Sequence, residues 1–324
     1  PYQFKERVAQ DRIVLEKFAD YYNADEYHFD SVTYLPIPDT TVRLANLQSG
    51  DIDMLERLAA TDLAQAEGDD GIKVESAVSL GYQGITINVA NGEKGDNPWG
   101  NDKRLRQALS YAIDREAINQ VVFNGAFAAG NQPFPPNSPW YSTDFPVPER
   151  DVEKAKELLA EAGYEDGLTI DFYAYRDREY AEAITSYLNA VGIDTNFKML
   201  QYSALREQNM KGETAVSFQT WGSYSINDAS AMVSQFFKHG SLDYAMDDET
   251  LEYLNTADSS TDPEVRKENY SKPATLEIIN EMADQVDVAI EDSVRLLVDD
   301  VERDTGPIGE QPQDRKSTRL NSSH

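Results

Sequence analysis

The chain has no cysteine, which removes disulfides, thiolate metal sites and cysteine nucleophiles. Histidine is nearly as scarce, with only His28, His239 and His324. A histidine triad or a zinc site needs imidazoles brought together. These stand far apart in sequence, and no H-E-x-x-H, G-x-S-x-G, P-loop or G-x-G-x-x-G motif accompanies them. No run of 18 apolar residues occurs, so no segment reads as a membrane-spanning helix. Positive charge is outnumbered, 29 Lys and Arg against 58 Asp and Glu, for a formal net charge of -29. Such a surface repels nucleic acid and anionic lipid and attracts cations. The acid is spread along the chain, the pattern of a solvated acidic surface rather than an acidic tail. Among so many carboxylates, pairs arise by chance, so a two-carboxylate glycosidase centre has no specific signature.

What is present is enough chain for two domains and a sizeable core, 324 residues with 40% apolar and 27% charged. Between Lys103 and Gly125, Leu105, Ala108, Leu109, Ala112 and Ile113 repeat at helical spacing. Asp114 offers a cap for a fresh helix, whose stripe is Ala117, Ile118, Val121 and Val122, with Asn124-Gly125 as its stop.

Upstream, 12–16 and 31–35 read as strands, and Asp39 or Thr40 starts a short helix with Val42, Ala45 and Leu47 inward. Residues 52–54 suggest a strand, Thr61-Asp62 a short helix, and 84–89 an alternating strand. Asn91 to Asn101 is rich in Gly, Asn and Asp; it lacks the twelfth-position Glu of a calcium loop and reads as a solvated loop. Downstream, helical patterns at 151–163, 180–191, 203–210, 228–237, 250–255 and 263–283 interleave with strands at 168–172, 195–200 and 215–221. This alternation predicts an α/β fold with mainly parallel sheets flanked by helices. Pro273 is awkward inside the last helix, where it would cost about 3 kcal/mol.

The wording of R-x-R-Q-A-L-S-x-A-I-D-R-E-x-I from Arg104, followed by Pro133, Pro135, Pro136, Pro139 and Trp140, resembles the family 5 solute-binding proteins of bacterial ABC importers. The segment P-I-P-D-T-T-x-R-L-A-x-L-Q-S-G-D-I-D-M from Pro36 is similar to the same family, and the resemblance extends to about residue 275. It implies a two-lobed periplasmic-binding-protein-like fold of type II, with lobe I incomplete. The expected division is 1–89 as a partial lobe I segment and 90–300 as lobe II with hinge strands at its ends. Residues 301–313 would be a truncated return towards lobe I. Residues 314–324, DRKSTRLNSSH, resemble a translated sequencing adapter and are set apart as a non-native tail without helix or strand period.

The resemblance also implies capture of a peptide or peptide-like solute between two lobes and delivery to a membrane permease. The protein would be extracytoplasmic and monomeric, with no catalytic residue, cofactor, metal or nucleic-acid partner. A glycoside hydrolase or an oligosaccharide-binding protein is the alternative. Ligands of open α/β sheets bind beyond the carboxyl ends of strands, which singles out Trp221, Gly222, Ser223 and Tyr224. In the resembled family the tryptophan lines a cleft and the backbone beside it pairs with the bound peptide. Peptide receptors of the family carry an aspartate where this chain has Tyr224, and a neutral phenol cannot hold an α-ammonium as that carboxylate does. Tyr82 and Gln83, just before the hinge strand, complete the expected set. Phe134, Trp140 and Tyr141 are weaker candidates, and Asp228 suits helix capping.

Overall fold

The computed structural model describes residues 1–77, 81–136, 138–143, 146–222, 226, 228–234, 236–272, 287–288, 294–297 and 318–321. The expected helix beyond 272, Pro273 within it and the return at 301–313 lie outside them. Chain contacts divide the molecule into two units, Pro1–Ala77 with Asp292–His324, and Val78–Glu291.

In the smaller unit, β1 (Tyr2–Val8) and β2 (Arg12–Lys17) form an antiparallel hairpin. Gln10, at the turn, has a φ of 63°. Antiparallel β3 (Ser31–Leu35) follows. Helix α1 (Thr40–Ser49) starts where the Asp39 carboxylate accepts the Val42 amide and ends at left-handed Gly50. Its inward stripe is Arg43, Leu44 and Leu47, and Val42 lies 47% exposed. Of the expected stripe only Leu47 is buried, and Ala45 is exposed with Val42, because a ten-residue helix offers two registers that the short apolar pattern does not separate. Then come β4 (Met54–Glu56), α2 (Leu63–Glu67) and β5 (Lys73–Ser76). Leu44, Leu47, Ile52, Leu55, Leu58 and Ala66 form the core of this unit.

The larger unit is built on β6 (Gly81–Ile87), every residue of which is buried. The short helix α3 (Pro98–Asn101) leads into α4 (Lys103–Ala112) and α5 (Arg115–Phe123), capped by Asp102 and Asp114. The predicted face of α4 is buried as expected; on α5, Val121 is 81% exposed and Arg115, Ile118 and Asn119 point inward. After α6 (Val152–Glu161) come β7 (Leu168–Ala174), α7 (Arg178–Asn189), β8 (Ile193–Met199), α8 (Tyr202–Met210) and β9 (Val216–Gly222). A π-helical turn (Ser230–Ser234), α9 (Asp248–Asp258) and α10 (Pro263–Tyr270) follow. Strand β10 (Asp287–Val288) closes the sheet, in the order β10-β6-β9-β7-β8. Strands β7, β8 and β9 run parallel, whereas β6 is antiparallel to β9 and β10 to β6.

Two last strands, β11 (Val294–Leu297) and β12 (Thr318–Asn321), join the smaller unit's sheet, ordered β1-β2-β3-β12-β4-β11-β5. Its only parallel pairs among the described residues are those of β12 with β3 and β4. Both sheets are therefore mixed rather than mainly parallel. The tail expected to lack strand period supplies β12, since the open hydrogen-bonding edges of β3 and β4 pair through backbone whatever the side chains.

One face of the larger sheet buries Ile85, Ile87, Val216, Phe218, Ile170 and Phe172 under α4 to α7. Each such side chain contributes about 1.5–3 kcal/mol. The 91–101 segment is only half solvated: Gly92, Glu93, Lys94, Asp96, Pro98 and Asn101 are exposed, while Asn91, Asn97 and Trp99 are buried. Asn88, Asn91 and Asn97 are buried, and their amides satisfy backbone around a 3-10 turn at Glu93–Gly95 and the start of α3. Asn91 Nδ2 donates to the Asp243 carbonyl at 2.7 Å and Asn97 Nδ2 to the Asn88 carbonyl at 2.6 Å. Sequence composition alone does not distinguish an asparagine that caps buried carbonyls from one facing water.

Candidate functional site

The ladder between β6 and β9 sets Tyr82 opposite Trp221, Gln83 opposite Thr220 and Gly81 opposite Gly222. Four of the six expected residues, Tyr82, Gln83, Trp221 and Gly222, thus meet at one end of one strand pair. Ser223 and Tyr224 lie outside the described residues. A Cβ on Gly81 would sit 2.4 Å from the Trp221 carbonyl oxygen, so only glycine fits this crossing.

Strand alternation sends neighbours to opposite faces. Tyr82 and Trp221 share the face of Thr86, and Trp221 Nε1 donates to Thr86 Oγ1 at 2.9 Å. An aromatic cluster covers this face: Phe236 meets the Trp221 ring edge-on at 4.3 Å between centroids, Tyr244 at 6.2 Å. Trp221 is left 8% exposed. The indole expected as a cleft wall is thus mostly covered on this face. The parity of β9 aims the indole at the 229–244 segment, whose own apolar residues enclose it. Its role here is to anchor the strand end from which Gly222 continues.

Gln83 and Thr220 share the opposite face, in the row of Ile85 and Phe218 but nearer the strand ends. Gln83 is 3% exposed, and its Oε1 has no hydrogen-bond partner among the described residues. Burying such an acceptor unmade costs about 1–3 kcal/mol, and the Thr220 hydroxyl opposite it is likewise without a partner among the described residues. The Tyr175 phenol, one residue past β7, lies beside Thr220, the residue opposite Gln83 in the ladder. Burial pushes this phenol up, opposed by Thr220. Tyr175 in turn packs against Tyr202 at 5.0 Å, and Tyr202 is 45% exposed. The carboxyl end of β9 therefore carries an amide oxygen without a partner among the described residues, and Tyr175 and Tyr202 follow β7 and β8. Sequence reasoning missed Tyr175 and Tyr202. The carboxyl-end rule, applied to every strand rather than to β9 alone, would have found them.

The weaker candidates are packing residues: Phe134 is 3% exposed in the aromatic cluster, and Trp140 lies edge-on to Tyr270 at 5.1 Å. Asp228 stands before the π-helical turn, where its carboxylate accepts the Ser230 amide at 2.9 Å and two Arg266 bonds of 2.6 and 2.7 Å. Its capping role is accordingly shared with an ion pair to α10. His239 lies 3.8 Å from Asp248. Among the described residues no group of three His, Cys, Asp or Glu side chains could hold a metal ion.

The family described as bacterial extracellular solute-binding proteins, family 5 Middle, matches residues 1–243. The oligopeptide-binding protein AppA of Bacillus subtilis is 34% identical over 226 residues, covering 64% of this chain and 40% of that protein. The glutathione-binding protein GsiB of Pectobacterium atrosepticum is 30% identical over 245 residues, covering 73% and 46%. Among solved structures, the periplasmic binding protein DppA of Helicobacter pylori in complex with peptide STSA has a TM-score of 0.81 at 24% identity, over 92% of this chain and 58% of that one. AppA of Bacillus subtilis in complex with a nonapeptide has a TM-score of 0.75 at 26% identity, over 92% and 62%. The chain spans less than half the length of these two curated relatives. The fold is the α/β, type II class of periplasmic binding proteins, with mixed sheets.

Proposed function

This chain belongs to the family 5 bacterial extracellular solute-binding proteins, and from that premise we propose that it is part of the substrate-binding component of an ABC-type importer. It takes a peptide or peptide-like solute and hands it to a membrane permease, on the extracytoplasmic side. It acts as a monomer without cofactor, does not bind nucleic acid and performs no chemistry on its cargo. Lobes 1–89 and 90–300 remain the proposed division for a ligand-driven shift between open and closed forms. The relatives' names support this reading, being those of binding proteins for oligopeptide and glutathione.

The observation that carries the site is the Gln83 oxygen, buried at the carboxyl end of β9 without a hydrogen-bond partner among the described residues. Such an acceptor suits an N–H donor, which every peptide main chain supplies. Gly222, which brings no side chain, and Ser223 would offer backbone to an extended ligand in the manner of an added strand. Tyr224 stands where related peptide receptors hold an ammonium, so the preferred solute has a blocked or displaced amino terminus. Tyr82 and Trp221 support the strand ends from the other face.

The test is a thermal-shift screen of blocked peptides, free dipeptides, glutathione and oligosaccharides, followed by calorimetry. A peptide-class ligand should raise the melting temperature, because binding to the native state alone stabilises it. Stabilisation by sugars only, or hydrolysis of a screened sugar, would move the protein to the oligosaccharide or glycoside hydrolase alternative.

A further inference from the structure

Between β2 and β3 the chain reads Phe18-Ala-Asp-Tyr-Tyr-Asn-Ala-Asp-Glu-Tyr-His-Phe-Asp30, rich in aromatics and carboxylates and without Lys or Arg. It is an ordered element. The Lys17 amide donates to the Asp30 carbonyl at 2.8 Å and the Phe18 amide to the Pro1 carbonyl at 2.7 Å, which ties both ends. Successive turns and a 3-10 turn at Ala24–Glu26 occupy the middle.

This backbone lines up four phenols. Tyr22 meets Tyr21 at 4.5 Å, Tyr21 meets Tyr27 at 5.6 Å, and Tyr27 meets Tyr2 of β1 at 6.0 Å. Tyr22 stands 89% exposed, with Phe18 and Phe29 partly exposed in the same loop. Asp20, Asp25 and Glu26 are without an ion pair among the described residues. The hydrogen bond with Tyr22, aided by desolvation, pushes the Tyr21 phenol up to about 12.

An exposed aromatic surface of this kind marks an interaction site. Ring faces are negative at their centres and attract guanidinium and ammonium groups, and the free carboxylates add charge of the same sign. A second copy of this chain, at net charge -29, would be repelled, as would anionic lipid or nucleic acid. We propose that the Phe18–Asp30 loop with Tyr2 is a docking surface for a partner protein that presents arginine on an extended basic segment. A guanidinium stacks on Tyr22 while its charge faces Asp25 and Glu26. Arginine suits the site better than lysine because its planar head stacks on a ring and is weakly hydrated.

The probe is a synthetic peptide of alternating arginine and alanine, titrated into the full chain by calorimetry beside its citrulline counterpart, which keeps shape and loses charge. The arginine peptide should bind and the citrulline peptide should not. Tyr22→Ala should weaken binding roughly two- to fivefold, the size of an exposed cation–π contact, and Tyr22→Phe should retain it. The pair Asp25→Asn and Glu26→Gln should weaken binding more than the remote pair Glu165→Gln and Asp166→Asn. Equal affinity for Tyr22→Ala and the parent overturns the proposal, as does equal loss from the remote pair, which would mean generic attraction to an acidic surface. Absence of binding overturns it too. So does displacement of the peptide by an equal concentration of tetramethylammonium, which would assign the surface to a small cation. Circular dichroism of Tyr22→Ala confirms that a substitution at so exposed a position leaves the fold intact.

Discussion

Trp221 and Thr86 are joined across two antiparallel strands by a 2.9 Å bond from the indole Nε1 to the threonine hydroxyl. They are separated by 135 residues in the chain, yet the ladder between β6 and β9 puts both on one face. That bond ties the larger unit's first strand to its last parallel one, beside the proposed ligand subsite.

Replacing Thr86 with valine keeps the shape and removes the acceptor. The indole N–H would then be buried without a partner, at a cost of about 1–3 kcal/mol. Urea unfolding should show this loss for Thr86→Val and little change for Thr86→Ser.

Gly81→Ala tests the tight crossing of the same strands. The new methyl would meet the Trp221 carbonyl oxygen at 2.4 Å and the Gly222 Cα at 3.0 Å. Both are backbone atoms and cannot rotate away. Overpacking of this kind should cost about 1–3 kcal/mol in denaturant melts and weaken any ligand that reads the Gly222 backbone.

Gln83→Leu should separate stability from binding. Removing a buried acceptor that has no partner among the described residues should leave the melting temperature unchanged or raise it. If the acceptor belongs to the ligand, peptide affinity should fall about tenfold, the value of a hydrogen bond of about 1.4 kcal/mol. Calorimetry beside the melting curve measures both, and unaltered affinity would return Gln83 to a packing role.

The Asn97 side chain gathers the turn ahead of α3. Its Nδ2 donates to the carbonyls of Asn88 and Lys94, and its Oδ1 accepts the Gly100 amide at 2.9 Å. Asn97→Ala should therefore lower stability by about 1–3 kcal/mol, and hydrogen exchange should show the Gly100 amide exposed.

Acid should loosen the contacts of the 228–238 segment with α9 and α10. Burial pushes the Asp228 carboxyl up, but the Ser230 hydroxyl and amide and the Arg266 guanidinium outweigh it, leaving its pKa below the ordinary value. Asp258 is lowered likewise, its burial outweighed by Lys238, Tyr270 and Ser234. A depressed folded pKa means stability present above the unfolded value, near ~3.9, and lost as pH falls through the folded one. Melting temperatures taken from neutral pH down to about 3 should fall less steeply in Asp228→Asn than in the parent.

Much of the larger unit is legible in the sequence because its helices announce themselves. Asp102, Asp114 and Asp151 each precede an apolar stripe, and each caps the helix that follows it. Short elements are less legible. Few apolar residues define the register of α1, and spacing alone sets Val121 inward on α5 where the fold leaves it exposed. The site is half legible: chain order marks Trp221 and its neighbours, while Tyr175 and Tyr202 sit at ends of strands that carry no motif.

The sequence by itself determined the family, the α/β class, the helix starts and the acidic surface, since caps, stripes and composition act within a few residues of one another. The tertiary structure alone decided which way Trp221 faces, how deeply the Gln83 amide is buried and how the strands pair in mixed sheets. Those outcomes depend on parity and register between segments more than a hundred residues apart, where a shift of one residue sends every side chain to the other face.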